Sequence, residues 1–190
     1  MKKMRLGRTG LQVSRSGFGA LPIQRISFDD AKAILRQAYA KGINFFDTAR
    51  GYTDSEEKIG YALADVRNDI FLATKSKAGD RKTLLKDLET SLRNLKTDHV
   101  DILQLHNPAE LPDPNDPESA YAGLLEARQK GLIRFLGVTN HKIGNALQAA
   151  ASGRYDTIQF PLNSLSAAAD LKLIAACKEQ DLGLIAMKGL

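Results

Sequence analysis

An α/β fold built on a parallel sheet, of the (β/α)8 barrel type rather than doubly wound, is what this sequence predicts. Short apolar runs such as Ile43–Phe46, Ile70–Thr74 and Val100–Leu105 lack strict polar alternation, as strands buried on both faces do. Longer segments with apolar residues at helical spacing separate them, and this alternation calls for parallel strands joined by right-handed crossovers. Three successive runs also end on chemically capable residues, Asp47, Lys75 and His106, at the strand ends where barrels carry their functional groups. A doubly wound sheet is the competing architecture, but its G-x-G-x-x-G signature is absent between the first strand and helix.

Composition narrows the classes. With 43% hydrophobic and 26% charged residues, 190 residues make one globular domain, 1–190, with a sizeable core. The formal net charge of +5 comes from Lys and Arg scattered among Asp and Glu, which reads as solvated helix faces rather than a nucleic-acid surface. Cys177 is the only cysteine, so no disulfide forms within the chain and no multi-Cys metal site exists; no His and carboxylate spacing suggests a metal either. No apolar stretch spans a bilayer and Met1-Lys2-Lys3 precedes no signal-peptide core, so a soluble, cytoplasmic protein without membrane partners is expected.

Residues 5 to 14 read as a hairpin around Thr9-Gly10. Gly17–Leu21 is the first barrel strand, ended by Pro22, which cannot serve a central ladder; its glycines let the backbone approach a ligand or relieve crowding. Ser27 caps a helix whose apolar face is Ala31, Ile34, Leu35, Ala38 and Tyr39, and Lys41-Gly42 ends it. The Asn44–Tyr52 stretch follows as a strand with Ile43, Phe45 and Phe46 inside, Asp47 at its end and Tyr52 on the loop. Ser55-Glu56-Glu57 starts the next helix, carrying Ile59, Ala62 and Leu63. Thr83–Leu95 is the clearest helix, with Leu84, Leu85, Leu88, Leu92 and Leu95 in one stripe.

After His106 the proline-bearing segment Asn107–Pro117 is expected to overhang the strand ends as a loop. Helices over about 118–130, 141–152 and 170–180 then alternate with strands over Ile133–Val138, Thr157–Phe160 and Leu184–Met187. No repeat or low-complexity linker interrupts them.

The runs RLGRTG (5 to 10), GINFFDTARGY (42 to 52), ATKS (73 to 76), DILQLHNP (101 to 108) and IRFLGVTNH (133 to 141) together resemble the aldo-keto reductase family of (β/α)8 barrels. The resemblance runs to the last residue, and Met187-Lys188-Gly189-Leu190 is similar to a branch of the family in which some members carry an iron–sulfur module further on. It implies a catalytic set of Asp47, Tyr52, Lys75 and His106, and NADPH as cofactor. It implies cofactor contacts at Gly19, Asp47, Thr139, Asn140, Gln159, Met187 and Lys188, with Thr139, Asn140 and Gln159 clamping the nicotinamide carboxamide. Met187 stands where many relatives have an aromatic ring to stack on nicotinamide.

The chemistry is coherent. Reducing a carbonyl builds charge on its oxygen, so a proton donor must stand beside it. Tyr52 is the acid; Lys75 is expected to lower the phenol's pKa, Asp47 to hold Lys75, and His106 to orient the carbonyl. Taken singly, each has a scaffold explanation: a structural ion pair, a packed tyrosine, a hydrogen-bonded histidine. His99 opens a strand at the opposite end, and His141 is a candidate for substrate contact.

The resemblance implies an NADPH-dependent reductase of a small-molecule aldehyde or ketone; the alternative is a non-catalytic dinucleotide-binding barrel that regulates a partner, or an inactive partial barrel. Seven barrel strands are read here, against eight in a complete barrel of roughly 250 residues. A longer protein is therefore expected, whose further segment supplies the eighth strand and the adenosine-phosphate contacts, with these 190 residues alone binding NADPH weakly.

Overall fold

The computed structural model describes residues 1–189, apart from the side chain of Ala169; Leu190 lies outside the described residues. Strands β1 (Lys3–Arg5) and β2 (Gln12–Ser14) pair antiparallel across a turn at Gly7–Thr9 and form the expected hairpin. Strand β3 (Phe18–Gly19) is shorter than expected, because the chain turns into a tight helical segment at Pro22–Arg25. Helix α1 (Phe28–Ala40) is capped by Ser27, whose hydroxyl accepts from the Asp30 N–H. The expected apolar face of α1 is too wide: Ala31 and Leu35 are buried, whereas Ile34 is exposed.

Strand β4 (Phe45–Asp47) buries all three of its residues; Ile43, expected inside, precedes it and is half-buried. Helix α2 (Ser55–Leu63) passes through an irregular segment at Ala64–Asp69 into β5 (Phe71–Ser76). Helix α3 (Arg81–Leu95) starts two residues before the expected Thr83, because the Asp80 carboxylate accepts from the Thr83 N–H. Strand β6 (Val100–His106) leads into the long loop, and α4 (Ala120–Gln129) begins only where Ser119 caps it. Then come β7 (Ile133–Thr139), α5 (Ile143–Ser152), β8 (Thr157–Pro161), α6 (Ala168–Glu179) and β9 (Gly183–Met187).

Strands β3 to β9 form one parallel sheet in sequence order. Its two faces carry two cores. The larger one packs outward-facing residues such as Phe46, Leu72, Leu103, Leu136 and Ile158 against the helices, including the leucine stripe of α3. The smaller one fills the concave face with Phe45, Phe71, Ala73, Ile102, Phe135 and Ile185, closed beneath by Leu6, Leu11 and Val13 of the hairpin region. The period-two geometry of a strand then fixes what stands above that plug: Asp47 over Phe45, Lys75 over Ala73, Gln104 and His106 over Ile102.

The sheet curls so that β3 and β9, which do not pair, line a common cleft of about 1120 Å3. At its foot the hairpin reaches β9: Arg5 grips Asp181 through both terminal nitrogens at 2.7 Å, and the Arg8 guanidinium donates to the Gln180 carbonyl at 2.7 Å. Gly7 permits this approach, since a Cβ there would run into the backbone of Leu182 and Gly183. At the same end of β6, buried Asp101 accepts from Arg67, Arg134 and the Leu72 N–H, tying β5, β6 and β7 together.

Candidate active site

Asp47 and Lys75 meet inside the upper end of the sheet. Lys75 Nζ donates to Asp47 Oδ2 and to the Thr48 carbonyl, both at 2.7 Å, and Lys75 is almost fully buried. A buried lysine is tolerated only when paired, and this one has an anion, a carbonyl and one N–H left over. Two amides complete the hold on Asp47: Gln104 Nε2 donates to Oδ1 and Gln159 Nε2 to Oδ2, both at 3.1 Å. Because a carboxylate only accepts, the amide nitrogens must face it, leaving Gln104 Oε1 and Gln159 Oε1 buried without partners among the described residues. Each orphaned oxygen costs about 1–3 kcal/mol.

Tyr52 is placed by its loop. The chain after β4 continues to bond β5, with the Thr48 N–H donating to Ala73 and the Arg50 N–H to Lys75, before turning at Thr53 with φ 41°. Three buried side chains of α2 anchor that turn. Ser55 donates to the Ala20 carbonyl at 2.9 Å and lies 3.0 Å from the Thr48 hydroxyl. Glu56 accepts from Thr74 at 2.7 Å and pairs with Arg50. Lys58 donates to the Ile23 carbonyl at 3.0 Å and to Asp54 at 2.9 Å. The phenol ring so held stands edge-on to His106, centroids 5.7 Å apart, with Lys75 Nζ 5.3 Å from its centroid.

The electrostatics differ from expectation at the phenol. Tyr52 has its pKa raised, first by burial and then by the charge of Asp47, rather than lowered by Lys75. Both of those effects act on the resting phenol, to which Lys75 donates no hydrogen bond among the described residues. His106 is pushed down to about 4 by burial, then by Lys75, Lys77 and His141, so it is a neutral imidazole at pH 7. Its Nδ1 is buried with no partner among the described residues.

The structure brings Asp47, Tyr52, Lys75 and His106 to one cleft, whose walls also include Gly19, Thr139, Gln159, Met187 and Lys188. The glycines of the first strand divide their explanations: a Cβ at Gly17 would stand 2.8 Å from the Phe45 ring, while one at Gly19 would meet nothing within 4 Å. Gly17 relieves crowding, and Gly19 leaves backbone open to the cleft. Asn140 is different. It is buried, its Nδ2 donates to the Pro108 carbonyl and its Oδ1 accepts from the Lys142 N–H, so it is spent on the loop after β6 and lies off the cleft lining, as does the whole of that loop, expected to overhang the site. His141 reaches the cleft, and His99 stays at the other end beside Asp98.

Sequence reasoning missed Gln104, Ser55, Glu56 and Lys58. The signal for Gln104 was its position two before His106, on the same strand face. The three α2 residues read as an ordinary polar helix start, and nothing local marks them as buried.

A parallel sheet curled around an apolar plug, with an acid, a lysine, a phenol and an imidazole at its strand ends, defines a protein of the (β/α)-barrel class with a polar site on its upper rim. The chain belongs to the Aldo/keto reductase family, whose model matches residues 15–190. It is 37% identical over 149 residues to an L-galactose dehydrogenase of Arabidopsis thaliana, covering 70% of this chain and 47% of that protein. It is 31% identical over 183 residues to the aldo-keto reductase YhdN of Bacillus subtilis, covering 86% of this chain and 54% of that protein. Among solved structures it superimposes on an aldo/keto reductase from Klebsiella pneumoniae in complex with NADP and acetate, with TM-score 0.84, 26% identity, and coverage of 97% of this chain and 67% of that one. The chain thus spans about half the length of the curated relatives it matches.

Proposed function

We propose that the protein reduces an aldehyde or ketone to an alcohol with NADPH, with Tyr52 as proton donor. The observation that carries this reading is the convergence of the Tyr52 ring, the Lys75 ammonium and the neutral His106 ring around one open volume above the Asp47–Lys75 pair.

The cleft fits a nicotinamide cofactor at identifiable points. Gln159 lines it and has a buried amide oxygen without a donor among the described residues, the complement of a carboxamide NH2, with Thr139 beside it on the neighbouring strand. Gly19 leaves room for close approach, and Lys188 adds a cation at the rim. Asn140, whose amide is engaged elsewhere, contributes by fixing the loop at Pro108. When bound, NADPH supplies the hydride. Bound NADP in the Klebsiella pneumoniae relative favours the same cofactor here.

The chain's own groups account for the rest. Neutral His106 donates one N–H to the carbonyl oxygen, which orients it and draws charge onto it. Tyr52, kept protonated by its raised pKa, delivers its proton to that oxygen as the charge builds, because an alkoxide is far more basic than a phenolate. The resulting phenolate is stabilised by Lys75, whose third N–H is available to it. Asp47 keeps that ammonium in place. Half-buried Tyr52 limits water at the oxygen.

The test is NADPH absorbance followed against a panel of aldehydes and ketones with the full-length protein. Carbonyl-dependent oxidation of NADPH is expected; tight NADPH binding without turnover on any carbonyl would favour a dinucleotide-binding regulator instead.

A further inference from the structure

We propose that Gln104 is a positioning residue of this site: its amide holds the free oxygen of Asp47 and so fixes the ammonium of Lys75 beneath Tyr52. The proposal rests on the reductase reading for its kinetic consequences, but its geometric content stands apart from it.

Gln104 lies beside Lys75 in the β5–β6 register and opposite Gly137 in the β6–β7 register. Both Gln104 and Lys75 reach across to Asp47, and they take different oxygens, Oδ1 and Oδ2. Holding a carboxylate at both oxygens from one side prevents rotation about its last bond, so Oδ2 cannot leave Lys75. Gln159 adds a contact to the oxygen that is already held. Only Gln104 restrains Oδ1 among the described residues.

Nothing about packing asks for an amide here. The residue below it on the same face is Ile102, and an apolar side chain would leave no orphaned oxygen, whereas Gln104 Oε1 is buried without a partner among the described residues. The fold instead makes room for this side chain: a Cβ on residue 137 would stand 2.7 Å from Gln104 Cγ and 2.6 Å from the Thr157 hydroxyl. An energetically unfavourable polar group, accommodated by a missing side chain opposite, has its one contact on the carboxylate that orients the catalytic lysine. The titratable or charged groups at this cleft are Asp47, Tyr52, Lys75 and His106, with Arg5, Arg15, His141, Lys178 and Lys188 also on its lining and Lys77 near enough to act on His106; β7 and β8 add the neutral Thr139, Thr157 and Gln159.

The test compares Gln104→Met, which keeps length but loses the amide, with Thr157→Val, which alters the same interior without touching Asp47. In the protein the Lys75 Nζ resonance, assigned by its loss in Lys75→Arg, is expected to shift and broaden in Gln104→Met and to stay put in Thr157→Val. An unmoved Lys75 signal in Gln104→Met overturns the proposal, whether or not any carbonyl is reduced. In turnover assays, Gln104→Met is expected to lower kcat on the order of tenfold with KM for the carbonyl within about twofold. Parental kcat there also overturns it.

Gln104→Glu supplies the pH readout and serves if the Met variant does not fold. A protonated carboxyl can donate to Asp47 and a carboxylate cannot, so activity and the parental Lys75 signal should return as pH falls, over a range where the parent is flat. Matching pH profiles for Gln104→Glu and the parent would refute the role. A parent that reduces no carbonyl would remove the reductase reading alone, and the Lys75 signal would still decide Gln104.

Discussion

Lys75 Nζ sits 2.7 Å from Asp47 Oδ2 with both residues largely withdrawn from water, and the same nitrogen lies 5.3 Å from the centre of the Tyr52 ring. The pair therefore serves two demands, neutralising a buried charge and placing a cation under a phenol. Separating those demands is what the first two experiments do.

Tyr52→Phe removes the hydroxyl and leaves the ring that packs edge-on to His106. Carbonyl reduction should fall by about two to four orders of magnitude, the usual contribution of a positioned acid. NADPH affinity, read by fluorescence titration, should be nearly unchanged, because the ring still fills its place. Comparable turnover in the variant would rule out Tyr52 as the acid.

Lys75→Met removes one partner of a buried pair and strands Asp47, which should cost about 3–5 kcal/mol in chemical denaturation. The rate should also drop, and the pH profile of any remaining activity should move, because the phenolate has lost its cation. A variant that is merely less stable, with an unaltered pH profile, would make Lys75 structural.

Much of this was legible beforehand. The strand ends Asp47, Lys75 and His106, the loop tyrosine and the caps at Ser27 and Gly42 follow from local rules: apolar runs, small polar caps, glycine at positive φ. Asn140 shows where such reading stops. Its position beside Thr139 places it near the cleft, but only the path of the Asn107–Pro117 loop decides that its amide turns to Pro108. Gln104, between two leucines, and Glu56, in a first helical turn, are buried by contacts many residues away in sequence. The raised pKa of Tyr52 likewise depends on how far its ring is buried and how near Asp47 stands, a matter of three dimensions.

His106 gives a pH dependence of stability. Its folded pKa is about 4 against an ordinary 6.5, so between those values the unfolded chain binds a proton that the folded one refuses. This contribution is fully present above about pH 6.5, is lost progressively as pH falls toward 4, and is constant below. Partial exposure of the ring reduces the effect to about 1–2 kcal/mol, less than the full shift would give. Urea melts from pH 7 to 4 should show this slope in the parent and a shallower one in His106→Gln; equal slopes would refute it.

Gly137→Ala tests how tightly the interior beneath the site is filled. Residue 137 is on β7 with ordinary backbone, so the substitution introduces no strain in φ, and alanine suits a buried strand at least as well as glycine. On local grounds it should be harmless. The new methyl, however, would stand 2.6 Å from the Thr157 hydroxyl and 2.7 Å from Gln104 Cγ, both on strands fixed by the ladder on either side. Neither stem can retreat without its strand, so overpacking should cost about 1–3 kcal/mol. Thr157→Ser removes a methyl but keeps the oxygen in the way, whereas a smaller residue 104 clears the other contact. Gly137→Ala combined with Gln104→Ala should therefore destabilise by less than the two single changes taken together, a coupling measurable by a double-mutant cycle in urea. Strict additivity would mean that residue 137 and Gln104 do not press on one another.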